Sequence, residues 1–144
     1  MKEASWDDCI NDKSSIRITP DRAKAISLID TSKGRIDFVS KSRIDESNAN
    51  YIFENYYTSI IELLQAIVIL EGFGVNNHIC LGFFLRDITR RENLFRIFDD
   101  CRFKRNSLVY YGKKMDFEKA KEAIEKANAL LKELSSIVSA KLGR

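Results

Sequence analysis

Residues 51–71 read YIFENYYTSIIELLQAIVILE, and the fold turns on how this stretch is read. Its apolar side chains include Phe53, Tyr56, Tyr57, Ile60, Leu63, Leu64, Ile67 and Val68, and they surround much of a 3.6-residue helix instead of forming one stripe. A helix that is apolar around most of its circumference must be covered by neighbours, so this segment is predicted to be the central element of a helical bundle. Gly72 and Gly74 end it.

Upstream, Thr19-Pro20-Asp21 reads as a cap, a proline at the first helical position and an acid near the positive end of the helix dipole. Ala25, Ile29, Ile36 and Val39 then recur at helical spacing, predicting a helix from 20 to about 43 with Gly34 weakening its middle. The polar run SRIDESNAN at 42–50 makes a turn, and residues 1–18 form a polar lead-in with a short helix near 5–11. Downstream, Asn76 or Asn77 can cap a short apolar helix through 78–86. Thr89-Arg90-Arg91-Glu92 fits a capping box that opens a helix from 90 to about 110, ended by Gly112. Asp116 caps the last helix, whose apolar seam of Phe117, Ala120, Ile124, Ala127, Leu131, Leu134 and Val138 alternates three- and four-residue steps. The expected architecture is an all-α, up-and-down helical bundle of four long helices plus one or two short ones, in a single domain over residues 1–144.

Composition supports that reading. With one Pro and six Gly in 144 residues, the chain lacks the punctuation that many-stranded folds need. Its 44% hydrophobic content suits a packed core and argues against disorder. Cys9, Cys80 and Cys101 are far apart, and with the single histidine, His78, they make no zinc pattern, so three reduced thiols and no metal are expected. Acids at the start of the chain do not suit a signal peptide, and the apolar runs are too short to cross a bilayer, so a cytoplasmic protein with no membrane contact is expected. No glycine-rich phosphate loop and no Ser or Cys nucleophile with a histidine base is present, and no cofactor is implied.

Charge is uneven along the chain. Residues 1–50 carry nine basic and nine acidic side chains, whereas residues 101–144 carry eleven basic against five acidic. Such asymmetry suits an anionic partner, or equally the solvated face of a Lys-rich helix. Within 90–111 the inward stripe reads Leu94, Phe98, Cys101, Arg105, Leu108, so Arg105 stands where an apolar residue belongs. A guanidinium stays charged at any working pH, so it must find an acid, reach a helix end or line a groove that receives an anion. Arg102, Lys104 and Lys113 lie close by in sequence, and Tyr110 and Tyr111 sit beside this charge. Basic groups bind phosphates and aromatic faces stack on bases, a combination suited to single-stranded RNA or a nucleotide. Arg105 and Tyr110 are five residues apart, about 140° around an ideal helix, so they are expected to converge only if the helix unwinds or a second subunit completes the site.

The segment FDDCRFKRNSLVYYGKKMDFEKAKEAIEKANALLKEL, together with IFENYYTSIIELLQAIVILEGFGVNNHICLGFFL, resembles the HEPN family of small helical domains over roughly residues 51–135. The family motif is an arginine, often followed by asparagine, and then a histidine four to six residues on. Arg105 and Asn106 match its first part, and Tyr110 or Tyr111 takes the place of the histidine. The resemblance implies a two-fold homodimer with the motifs facing a shared cleft, and in some cases a nucleotidyltransferase-type partner protein. Active members are metal-independent ribonucleases of toxin or defence type, in which the ribose 2′-hydroxyl attacks the adjacent phosphate while histidine moves a proton and arginine holds the phosphoryl charge. A tyrosine, with an ordinary pKa near ~10 against ~6.5 for histidine, would be a poor general base near neutral pH. His78 is expected to start the short helix or pack there, outside the site. The first expectation is therefore a module that binds RNA, a nucleotide or a partner protein through Arg102, Lys104, Arg105, Tyr110, Tyr111 and Lys113 without efficient catalysis. The alternatives are a ribonuclease using Arg105 with Asn106, Tyr110 or a residue from a second subunit in place of the histidine, and a helical dimer in which Arg105 is bound in a structural salt bridge.

Overall fold

A computed structural model describes residues 3–144; the first two residues of the expected lead-in lie outside it. Four long helices carry the fold: α2 (Arg22–Ser40), α3 (Ala49–Leu70), α5 (Glu92–Tyr111) and α6 (Phe117–Leu142). Two short ones, α1 (Trp6–Asn11) and α4 (His78–Asp87), complete an all-helical bundle.

Named pairs fix the helix directions. The α2 residue Ser32 and the α3 residue Ser59 exchange side-chain-to-carbonyl hydrogen bonds of 3.0 and 3.3 Å, both fully buried, so the two backbones approach closely there. Ile18, just before α2, donates its amide to Gly72, just after α3, so these helices run antiparallel. The Asn50 side chain accepts from the Met115 amide at 2.9 Å and donates to its carbonyl at 3.0 Å, joining the start of α3 to the start of α6. Lys141 pairs with Glu71 at the other ends, so α3 and α6 are parallel. Arg91 reaches Glu133 at 3.2 Å, which sets α5 antiparallel to α6. The four long helices thus alternate in direction along the chain, and one apolar cluster runs from Trp6 of α1 to Leu142 of α6.

Helix starts depart from expectation in two places. At α2 the cap is Asp21, whose carboxylate accepts from the Lys24 amide at 3.0 Å, so the helix begins two residues after Pro20 and stops at Ser40 instead of about 43. At α5 the expected capping box does not form. Arg90 adopts a left-handed φ of 60°, and the Thr89 and Arg91 amides turn back onto the carbonyls of Phe84 and Leu85, using them to finish α4. Helix α5 therefore starts at Glu92 with no side-chain cap. Asn77 caps α4 through the Cys80 amide and Asp116 caps α6 through the Lys119 amide.

Two features had no forerunner in the sequence reading. A two-stranded antiparallel ribbon pairs β1 (Ser15–Arg17) with β2 (Phe73–Val75), placing Ile16 opposite Gly74. Cys9 and Cys80 are joined in a disulfide that ties α1 to α4, which corrects the expectation of three reduced thiols. The two cysteines are 71 residues apart, too distant for spacing to reveal that α1 folds back onto α4. Such bonds are commoner in oxidising compartments, so thiol state lends no support to a cytoplasmic location. Among the described residues no helix is long and apolar enough to cross a membrane.

Packing between α4 and α5 depends on Gly82. A methyl group there would lie 3.1 Å from the ring of Phe98, which is fully buried, and 3.2 Å from Phe95. Gly34, by contrast, faces open space in the middle of α2. Gly34→Ala should therefore stabilise the protein by about 0.5–1 kcal/mol in denaturant unfolding. Gly82→Ala should cost about 1–3 kcal/mol despite its better helix propensity, because Phe98 has no room to retreat. Thiol titration in denaturant should find one free cysteine before reduction and three after. The one is Cys101, whose thiol burial pushes up to about 12 and so keeps unreactive in the folded protein. Three free thiols without reductant would contradict the pairing.

Candidate functional site

Helix α5 lays Leu94, Phe98, Cys101 and Leu108 into the core. On the same stripe Arg105 cannot be swallowed whole, and its half-buried side chain turns up along the helix. Its Nη1 donates to the Asn106 side-chain oxygen at 3.3 Å and makes a long contact of 3.5 Å with the Tyr110 hydroxyl. Among the described residues no carboxylate pairs with Arg105, so the structural salt bridge is not formed. Two rings flank the guanidinium instead. Its carbon lies 5.5 Å from the centre of Tyr57 and 5.6 Å from that of Tyr110, within range of cation–π attraction.

Arg105 and Tyr110 therefore meet within one chain while α5 stays helical through Tyr111. The expectation that convergence needs unwinding or a second subunit is corrected. An angular separation of about 140° is bridged because both side chains are long and lean over Asn106, which lies between them. Gly112, with φ 63°, then closes the helix, its amide and that of Lys113 bonding to the carbonyls of Leu108 and Ser107.

Behind the arginine are two residues that sequence reasoning left out of the site. Tyr57 of α3 is 1% exposed and stacks on Phe98 with an interplanar angle of 9°. Its hydroxyl is 2.9 Å from Nδ1 of His78, the first residue of α4. His78 does start the short helix as expected, yet it also reaches the cluster around Arg105 through Tyr57. A phenol hydroxyl on a helix buried on nearly all sides demands a partner, and that demand was the available signal. Burial raises the Tyr57 hydroxyl pKa, so it remains protonated. Burial first, and then the charges of Arg105 and Arg102, hold His78 below its ordinary value.

The other candidate residues divide into two groups. Arg102 shares the Arg105 flank of α5, held by Asp99 at 2.9 Å. Lys104 lies on the opposite flank, paired with Asp100 at 2.7 Å, and Tyr111 follows it by seven residues on that same side. Lys104 and Lys113 line a cleft of about 560 Å³ between the end of α5 and the start of α6, together with Phe103, Ser107, Lys114 and Lys119. Tyr110 is 67% exposed and Tyr111 82%, so each ring offers a face to a ligand, on Tyr110 the one away from Arg105. The arrangement offers a guanidinium free of any acid, two open aromatic faces and a neutral imidazole behind them. It can hold a phosphate and stack a base.

One histidine in the chain gives one titration curve. The His78 ring proton should titrate below the ordinary ~6.5, and Arg105→Ala should move that midpoint upward by removing a repelling charge. An unchanged midpoint would separate the two residues. Because the folded-state value is depressed, the unfolded chain binds the proton more readily. Stability contributed by neutral His78 is present above about 6.5 and is lost as pH falls through the folded-state value, and His78→Gln should remove that slope.

Compared with protein-family models, with curated proteins and with solved structures, the chain finds no match, so geometry and the quoted residues alone speak for its function.

Proposed function

We propose that this protein is a HEPN-like binding module that takes an RNA or nucleotide phosphate on Arg105 without cleaving it efficiently. The observation that carries the reading is the guanidinium itself, half-buried, flanked by Tyr57 and Tyr110, and free of any acid among the described residues. A cation kept partly from water without a carboxylate costs free energy that a bound phosphate would return through charge-assisted hydrogen bonds. Asn106 adds a neutral polar group beside it, and Tyr110 offers a face for a base. Pairing of two copies and a nucleotidyltransferase-type partner belong to the same reading, as the resemblance over residues 51–135 implies.

A second reading, a metal-independent ribonuclease of toxin or defence type, is favoured by His78. Its imidazole is neutral near pH 7, and Nδ1 is engaged by Tyr57. If that hydroxyl accepts the Nδ1 proton, Nε2 is free to take the proton of a ribose 2′-hydroxyl. The motif histidine would then be replaced from α4 and not by Tyr110.

Incubation with single-stranded and structured RNA in EDTA separates these readings. Retardation without cleavage, weakened by salt and reduced at least about tenfold in Arg105→Ala, is the expected result. Cleavage by the native chain that Arg105→Ala and His78→Ala both abolish would replace the first reading with the second. Absence of any RNA or nucleotide interaction would leave a protein partner or a purely structural helical dimer.

A further inference from the structure

We propose that the cleft between the end of α5 and the start of α6 is a second phosphate-binding subsite, so that the ligand is a single RNA strand of several nucleotides and not one nucleotide. The inference rests on the reading of Arg105 given above and extends it around the helix.

Three lysines of the cleft, Lys113, Lys114 and Lys119, have no carboxylate partner among the described residues. Its two acids are already occupied. Asp100 is bound to Lys104, and Asp116 caps α6 by accepting the Lys119 amide at 2.9 Å. The cleft is therefore net cationic with its carboxylates satisfied, which favours an anion of high charge density. Its lysines are not on a loose loop. Met115, next to Lys114, is clamped through both backbone polar groups by Asn50, which is 7% exposed. The amides of Gly112 and Lys113, donating to the carbonyls of Leu108 and Ser107, fix the other end of the connection. Lys114 is further held over the ring of Tyr51 at 5.4 Å.

The two subsites lie on opposite flanks of α5, and what lies between them decides the class of ligand. Going around an ideal helix at about 100° per residue, the side chains of residues 102–111 after Arg105 fall in the order Val109, Arg102, Asn106, Tyr110, Phe103, Ser107, Tyr111, Lys104. Phe103, Tyr110 and Tyr111 on that path are 70%, 67% and 82% exposed. An arc on the order of 20 Å at the surface of a helix therefore runs from the arginine to the lysines, paved with open aromatic faces. A mononucleotide cannot reach both ends. A single strand can, with phosphates on Arg105 and in the cleft and bases on the rings between them. An acidic peptide would satisfy the lysines but leave three aromatic faces without a partner.

Fluorescence anisotropy with labelled oligouridylate of about ten nucleotides, beside UMP as competitor, tests this. Lys113→Ala, Lys114→Ala and Lys119→Ala combined should weaken the decamer about tenfold or more. The slope of log affinity against log salt should fall by about 2, the loss expected for three single-strand phosphate contacts. UMP binding should be unchanged in that triple variant and lost in Arg105→Ala. Equal decamer affinity and salt slope in the triple variant would overturn the second subsite while leaving Arg105 as the nucleotide site. Stronger competition by polyglutamate than by oligouridylate would overturn it in favour of a protein partner. If neither oligomer nor UMP binds the native chain, both this inference and the reading beneath it fall.

Discussion

Along α3, side chains from Ala49 to Ile69 are withdrawn from water on most sides of the helix, and the other elements are arranged by the need to cover it. Helix α2 lies antiparallel on one side, close enough for Ser32 and Ser59 to exchange hydrogen bonds, and α6 runs parallel on another. Helices α4 and α5 close the rest. Tyr57 sits in this sheathed helix with its ring on Phe98, and its one polar atom must be satisfied where water cannot reach. His78 supplies that bond. The ring that results is a fixed floor beneath Arg105, so the position of the charge follows from the burial of the helix behind it.

The bundle was readable because its causes are local and periodic. The apolar circumference of residues 51–71, the seam from Ala120 to Val138 and the caps at Asn77 and Asp116 each act over a few residues, and each reappears in the structure. Arg105 was legible for the same reason, as one charge that interrupts a stripe. Where the reading failed, a competing interaction from elsewhere had decided the outcome. Thr89 could have capped α5, but a left-handed Arg90 gave its turn to the end of α4. Pro20 could have opened α2, but Asp21 made the stronger cap.

The rest was hidden because it depends on long-range contact. Cys9 and Cys80, β1 and β2, and Tyr57 with His78 are each brought together by packing that no spacing encodes. The meeting of Arg105 and Tyr110 was hidden differently. Angles around a helix describe where side chains start and not where long ones end, so 140° at the backbone allowed contact at the tips. Half the candidate site lay in the α5 segment and half behind it.

Arg105 is either a member of the fold or a charge the fold tolerates for a ligand, and unfolding of Arg105→Met distinguishes these. Methionine keeps much of the unbranched stem and fills irregular gaps, while removing a half-buried charge that has no acid partner. Loss of the two ring contacts works the other way, at about 0.5–1 kcal/mol each. The account predicts stability within about 1 kcal/mol of the native chain, or above it, together with lost RNA retardation. A loss beyond about 3 kcal/mol, with binding retained in whatever remains folded, would make Arg105 structural and contradict the account.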